Sequence, residues 1–152
     1  MSVYRTASQN VLFRGESPGD NEYEPAGASI ARRIEHGLQQ KGFTPSAIEN
    51  WRDCGWSIDI LAGEAELQVA VACTAEPGLW LLQVACINDA GMLARLFGKS
   101  FIDRSAEVLA VASAVHEILR TGGFTGIRWR VDGYPDDAKS TPEPIGREYT
   151  AT

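Results

Sequence analysis

The stretch Trp56–Val84, WSIDILAGEAELQVAVACTAEPGLWLLQV, decides the fold. Apolar residues alternate with polar or small ones through Trp56, Ile58 and Ile60, then Leu67, Val69 and Val71, then Trp80, Leu82 and Val84. Period two marks strands with one buried face, so the stretch reads as a three-stranded antiparallel meander. A two-residue turn at Gly63 and Glu64 pairs Ile60 with Leu67, Ile58 with Val69 and Trp56 with Val71. A second turn over Thr74 to Pro77 sets Val71 opposite Trp80, Val69 opposite Leu82 and Leu67 opposite Val84. Both turns bring the apolar sets to one side, as a half-buried sheet requires.

Outward from the meander the period changes to that of helices. Ile30, Ile34 and Leu38, with Ala31, form an apolar stripe on a helix expected from Pro25 to Lys41, closed by Gly42. A second helix is expected from a cap at Asp103 or Ser105 to Arg120, burying Val108, Val111, Ala112, Val115, Ile118 and Leu119. Between them, Met92, Leu93, Leu96 and Phe97 fit a short amphipathic turn. Beyond Gly122 and Gly123, residues 124–131 read as a last strand with Ile127, Trp129 and Val131 inward and Arg128 and Arg130 outward. The expected fold class is therefore α+β, with two helices on one face of a four-stranded sheet. Laying the last strand beside the first meander strand gives the order 3-2-1-4 and makes Asp59 a neighbour of Arg128 or Arg130.

Three segments follow. Residues 1–25 form an N-terminal arm whose short run Val11, Leu12 and Phe13 adds an edge strand or docks on the surface. Residues 26–131 form the domain. Residues 132–152 form a Pro-rich tail, extended or partly disordered. At 152 residues and 44% apolar composition, one domain buries a core without disulfide or metal. No apolar run reaches the roughly 20 residues needed to span a bilayer, and the start lacks a secretory layout, so a cytoplasmic protein with no membrane partner is expected.

A formal net charge of −6 argues against a surface that tracks phosphates, so no nucleic-acid partner is expected. The acids are unevenly placed: Glu16, Asp20, Glu22 and Glu24 have no base among them, and Glu49, Asp53, Asp59, Glu64, Glu66 and Glu76 have only Arg52. That pattern suits a basic protein partner. Trp51, Arg52, Asp53, Cys54, Gly55 and Trp56 crowd two tryptophans, a charge pair and a thiol before the first meander strand. Trp51 as an aromatic anchor and Asp53 as a charged contact are the candidate partner-binding residues there, with Glu64 and Glu66 on the acidic stretch. The plainer reading of the cluster is a packed corner.

Catalytic motifs fail one by one. Gly98, Lys99 and Ser100 end like a phosphate loop, but the glycine needed five residues earlier is Leu93. His116 and Glu117 open like a zinc-protease helix, but the second histidine is Arg120. Ser57 lies between Trp56 and Ile58, not in a nucleophile elbow. Cys54, Cys73 and Cys86 with two distant histidines spell no metal site, and the register turns Cys73 and Cys86 into the core. No catalytic residue, metal or cofactor is therefore assigned.

The layout of residues 26–131, a helix, a three-stranded meander, a second helix and a closing strand, resembles small acidic bacterial toxin-immunity proteins and, less closely, type III secretion chaperones. The resemblance lies in layout, without a diagnostic motif. It implies a non-catalytic protein that binds a partner, neutralising a basic toxin or effector by occlusion. The rival readings are a small enzyme or ligand-binding domain with its pocket between helices and sheet, a secretion-type chaperone, or a homodimeric structural protein.

Overall fold

The computed structural model describes residues 6–19, 24–88 and 102–146. The elements are β1 (Gln9–Arg14), α1 (Ala28–Gln40), β2 (Thr44–Pro45), β3 (Glu49–Trp51), β4 (Gly55–Ala62), β5 (Ala65–Cys73), β6 (Leu79–Cys86), α2 (Ser105–Thr121) and β7 (Thr125–Val131). The strands make one seven-stranded antiparallel sheet, ordered β2-β4-β5-β6-β1-β7, with β3 also on β4. The fold class is α+β as expected. The expected four strands and the order 3-2-1-4 are not what forms.

The meander is β4-β5-β6. Its first hairpin has the expected register, with Ile60 opposite Leu67, Ile58 opposite Val69 and Trp56 opposite Val71. The second is shifted by two residues: Cys73 meets Trp80, Val71 meets Leu82 and Val69 meets Val84. The reversal falls later because Thr74 and Leu79 close the loop and Gly78 supplies its left-handed residue at φ +79°. An even shift leaves every apolar side chain on the same face, so periodicity alone cannot detect it.

The larger correction is β1. Val11, Leu12 and Phe13 belong to an interior strand held on one side by β6 and on the other by β7. The last strand consequently lies four strand spacings from β4, about 19 Å at roughly 4.8 Å per step. Asp59 therefore meets neither arginine. Arg128 pairs with Asp137, and Arg130 lies 3.7 Å from Asp136. Asp59 instead accepts the Ser46 N–H on its backbone carbonyl at 2.8 Å, and the Ser46 hydroxyl accepts the Asp59 N–H at 2.9 Å.

Both helices lie on one face. Ile30, Ile34 and Leu38 of α1 and Val108, Val111, Val115 and Leu119 of α2 meet Val11, Phe13, Ile58, Leu67, Val69, Leu82 and Trp129 in a single buried cluster. α1 starts at Ala28 rather than Pro25, because Gly27 turns left-handed at φ +104° where a Cβ would lie 3.0 Å from the Trp80 ring. Its end is as expected: Gly42 is left-handed at φ +91° and the Phe43 N–H returns to the Leu38 carbonyl. The Trp56 indole donates to the Pro25 carbonyl at 2.8 Å and the Trp80 indole to the Gly15 carbonyl at 2.9 Å. No helix among the described residues is long and apolar enough to cross a membrane.

Residues 132–146 return along the open edge of β7. Thr141 exchanges two backbone bonds of 2.8 Å with Trp129, and the Gln9 side chain donates to the Ile145 carbonyl at 2.8 Å. The amphipathic turn expected at Met92–Phe97 lies outside the described residues.

Gly55 places β4 hard against β5: a Cβ there would lie 2.1 Å from the Val71 carbonyl oxygen. Since backbone cannot rotate aside, Gly55→Ala is expected to lower stability by about 1 to 3 kcal/mol, measured by urea unfolding. Wild-type stability in that variant would mean that the strands are farther apart than described.

Candidate functional site

The β3–β4 hairpin ends the sheet with an exposed tip. Cys54 N–H bonds the Trp51 carbonyl at 3.1 Å, so Arg52 and Asp53 are the central residues of a tight turn. Both have positive φ, 54° and 57°, without being glycine. Each such residue costs about 1 to 3 kcal/mol. Part of that is offset locally, since the Asn50 side-chain oxygen accepts the Asp53 N–H at 2.9 Å and the Arg52 guanidinium lies 5.2 Å from the centre of the Trp51 ring. Trp51 is half-buried, and Arg52, Asp53 and Cys54 are exposed.

At the other end of β4, a side chain holds the turn bearing the two candidate glutamates. Asn88 donates from its amide to the Glu64 carbonyl and accepts the Glu66 N–H, each at 2.9 Å. Ile87 N–H bonds the Glu66 carbonyl at 2.8 Å. Glu64 and Glu66 are thus exposed on a braced backbone. The four candidate residues do not converge. Trp51 and Asp53 are separated from Glu64 and Glu66 by the length of β4, about 25 Å at roughly 3.3 Å per residue. They share an edge of the sheet, not a pocket.

Ion pairs engage four acids away from that edge, although Glu16, Glu24 and Glu143 elsewhere are exposed and, among the described residues, have no ion-pair partner either. Glu76 pairs with Arg14, Glu117 with Arg120, Asp136 with Arg130 and Asp137 with Arg128. Glu49, Asp53, Asp59, Glu64 and Glu66 are all exposed, and among the described residues none has an ion-pair partner. Sequence reasoning missed Leu61 here. It is opposite Glu66 on the helix-free face, shares that face with Asp59, and is 60% exposed. The signal was present: Leu61 is apolar at a position where the Ile58, Ile60 alternation calls for a polar side chain.

Among the described residues, the helices meet the sheet through a cluster of buried side chains. An open cleft of about 610 Å³ lies between the two helices, lined by Arg33, His36, Gln40, Lys41, Glu117 and Thr121 among others. Arg33, His36 and Glu117 in it are engaged structurally. Arg33 donates to the Gly122 carbonyl at 2.9 Å, and one nitrogen of His36 lies 3.1 Å from the Gln40 amide. The hydrogen bond from Arg120 holds the Glu117 carboxyl below its ordinary range. The second histidine is also committed, since His116 Nδ1 accepts the buried Trp129 indole N–H at 3.0 Å.

None of the three thiols is in a disulfide; Cys73 is exposed, which corrects its inward reading, while Cys86 is half-buried and packs against the core as expected. Cys73 has inward parity but lies at the strand end, beyond the cover of the helices. Among the described residues, no three histidine, cysteine or acidic side chains gather as metal ligands. Comparison with protein-family models, curated proteins and solved structures gives no match to the chain.

Proposed function

We propose that the β3–β4–β5 edge is the docking surface of a non-catalytic binding protein whose partner is a basic protein, in the manner of an immunity protein that neutralises by occlusion. The observation that carries the reading is a concentration of acids: Glu49, Asp53, Asp59, Glu64 and Glu66, all exposed and without an ion-pair partner among the described residues, lie on β3, β4, β5 and the turns between them. Leu61 and Trp51 add apolar contact area within the acidic surround. An interface combines these two parts, with acids steering the encounter and apolar groups slowing dissociation. The braced turn at Glu64 and Glu66 lowers the ordering cost on binding, since its backbone is already hydrogen-bonded in place.

The partner is to be recovered by mass spectrometry of co-purified material and its association rate measured by surface plasmon resonance. Raising salt from about 0.1 M to about 1 M shortens the Debye length from roughly 10 Å to roughly 3 Å. Association is expected to slow at least about tenfold over that range. The double reversal Glu64→Lys, Glu66→Lys should slow it comparably at low salt with stability unchanged. A partner bound at a rate indifferent to both salt and charge reversal sinks the proposal.

A further inference from the structure

Two of the three thiols stand at one end of the sheet, Cys73 as the last residue of β5 and Cys54 in the turn immediately before β4. The β4–β5 ladder runs without a register shift from Ala62 opposite Ala65 to Gly55 opposite Ala72. One step further, the same register sets Cys54 opposite Cys73. Parity agrees, because Cys73 follows Val69 and Val71 and Cys54 precedes Trp56 and Ile58, all on the helix side of the sheet. Opposed residues of antiparallel strands have α-carbons about 4.5 to 5.5 Å apart, within the roughly 4.4 to 6.8 Å that a disulfide spans.

Local detail favours the bond. At this point the strands are close, since a Cβ on Gly55 would lie 3.0 Å from that of Ala72. Both thiols are exposed and free. The Cys54 thiol is turned to the Trp51 carbonyl at 3.4 Å, a weak contact that rotation about one side-chain bond releases. Cys73 lines an open cavity of about 390 Å³ with Gly15, Ala26, Thr74 and Trp80, which gives a small reagent access to its sulfur.

We propose that Cys54 and Cys73 form a reversible redox pair, oxidised by a low-molecular-mass disulfide of the glutathione type. The Cys73 thiolate attacks one sulfur of that disulfide, forming a mixed disulfide and releasing one small thiol. The Cys54 thiolate then attacks the Cys73 sulfur, closing the bond between the two strands and releasing the second small thiol. Two protein thiols are oxidised, one small disulfide is reduced to two thiols, and the two protons pass to the released thiolates. Closure ties the strained tip that carries Trp51 and Asp53 to β5, so the redox state sets the mobility of that tip. Nothing in this pairing requires that the tip bind a partner.

The experiment treats the folded full-length protein with oxidised glutathione, then applies thiol titration and non-reducing peptide mapping. The expected result is a fall from three free thiols to one, a Cys54–Cys73 cross-linked peptide, and an unmodified Cys86. Dithiothreitol should restore all three. Cys54→Ser should stop at glutathione carried on Cys73, because the resolving thiol is gone. Wild-type protein that carries glutathione on both Cys54 and Cys73 without a cross-link, or that links either to Cys86, overturns the proposal.

Discussion

Deleting residues 1–14 is expected to unfold the protein. β1 lies between β6 and β7 in the sheet, and Val11, Leu12 and Phe13 are each at most 2% exposed. Burying three such side chains contributes about 1.5 to 3 kcal/mol each, so the strand carries roughly 5 to 9 kcal/mol before its two hydrogen-bond ladders are counted. Whole-domain stability is of the order of 5 to 15 kcal/mol. The loss therefore rivals the total. Circular dichroism and urea unfolding of the truncated chain should show no cooperative transition. A truncated protein that unfolds cooperatively with a wild-type midpoint would return these residues to the status of an arm.

The reason this strand was read as peripheral is instructive about which information is local. A strand covered on one face alternates, as Ile58, Asp59 and Ile60 do, but Val11, Leu12 and Phe13 are apolar in succession. That run is the mark of a strand buried on both faces. Leu12 is 2% exposed although it points away from the helices. The run was legible as a strand, but its place between β6 and β7 depends on contacts about 70 and 120 residues away, to which local periodicity is blind. The β4–β5 register, by contrast, follows from a two-residue turn and came out correctly. The β5–β6 register did not, because a longer loop admits even shifts at no cost in parity. For the candidate site, exposure of Glu64, Glu66 and Asp53 could be read from pattern. The pairing of Cys54 with Cys73 could not, since it exists only after β4 and β5 are aligned.

Trp129 is expected to be the most sensitive single side chain. It is wholly buried, sits opposite Val11 in the sheet, and its indole N–H donates to His116 Nδ1 at 3.0 Å. An indole nitrogen only donates, so the neutral His116 ring must carry its proton on Nε2. Truncation to alanine removes both the packing and the bond, at about 3 to 5 kcal/mol. Two milder variants separate these contributions. Trp129→Phe keeps most of the bulk and gives up the N–H, while His116→Leu leaves that N–H without an acceptor inside the core, each at about 1 to 3 kcal/mol. Once either partner is gone, losing the other should cost less, so the double variant is expected to be less destabilised than the sum of the singles by about 1 kcal/mol. Urea unfolding of the four proteins measures this coupling. Strict additivity would mean that the indole–imidazole contact is geometric proximity without energetic weight, and that packing alone accounts for Trp129.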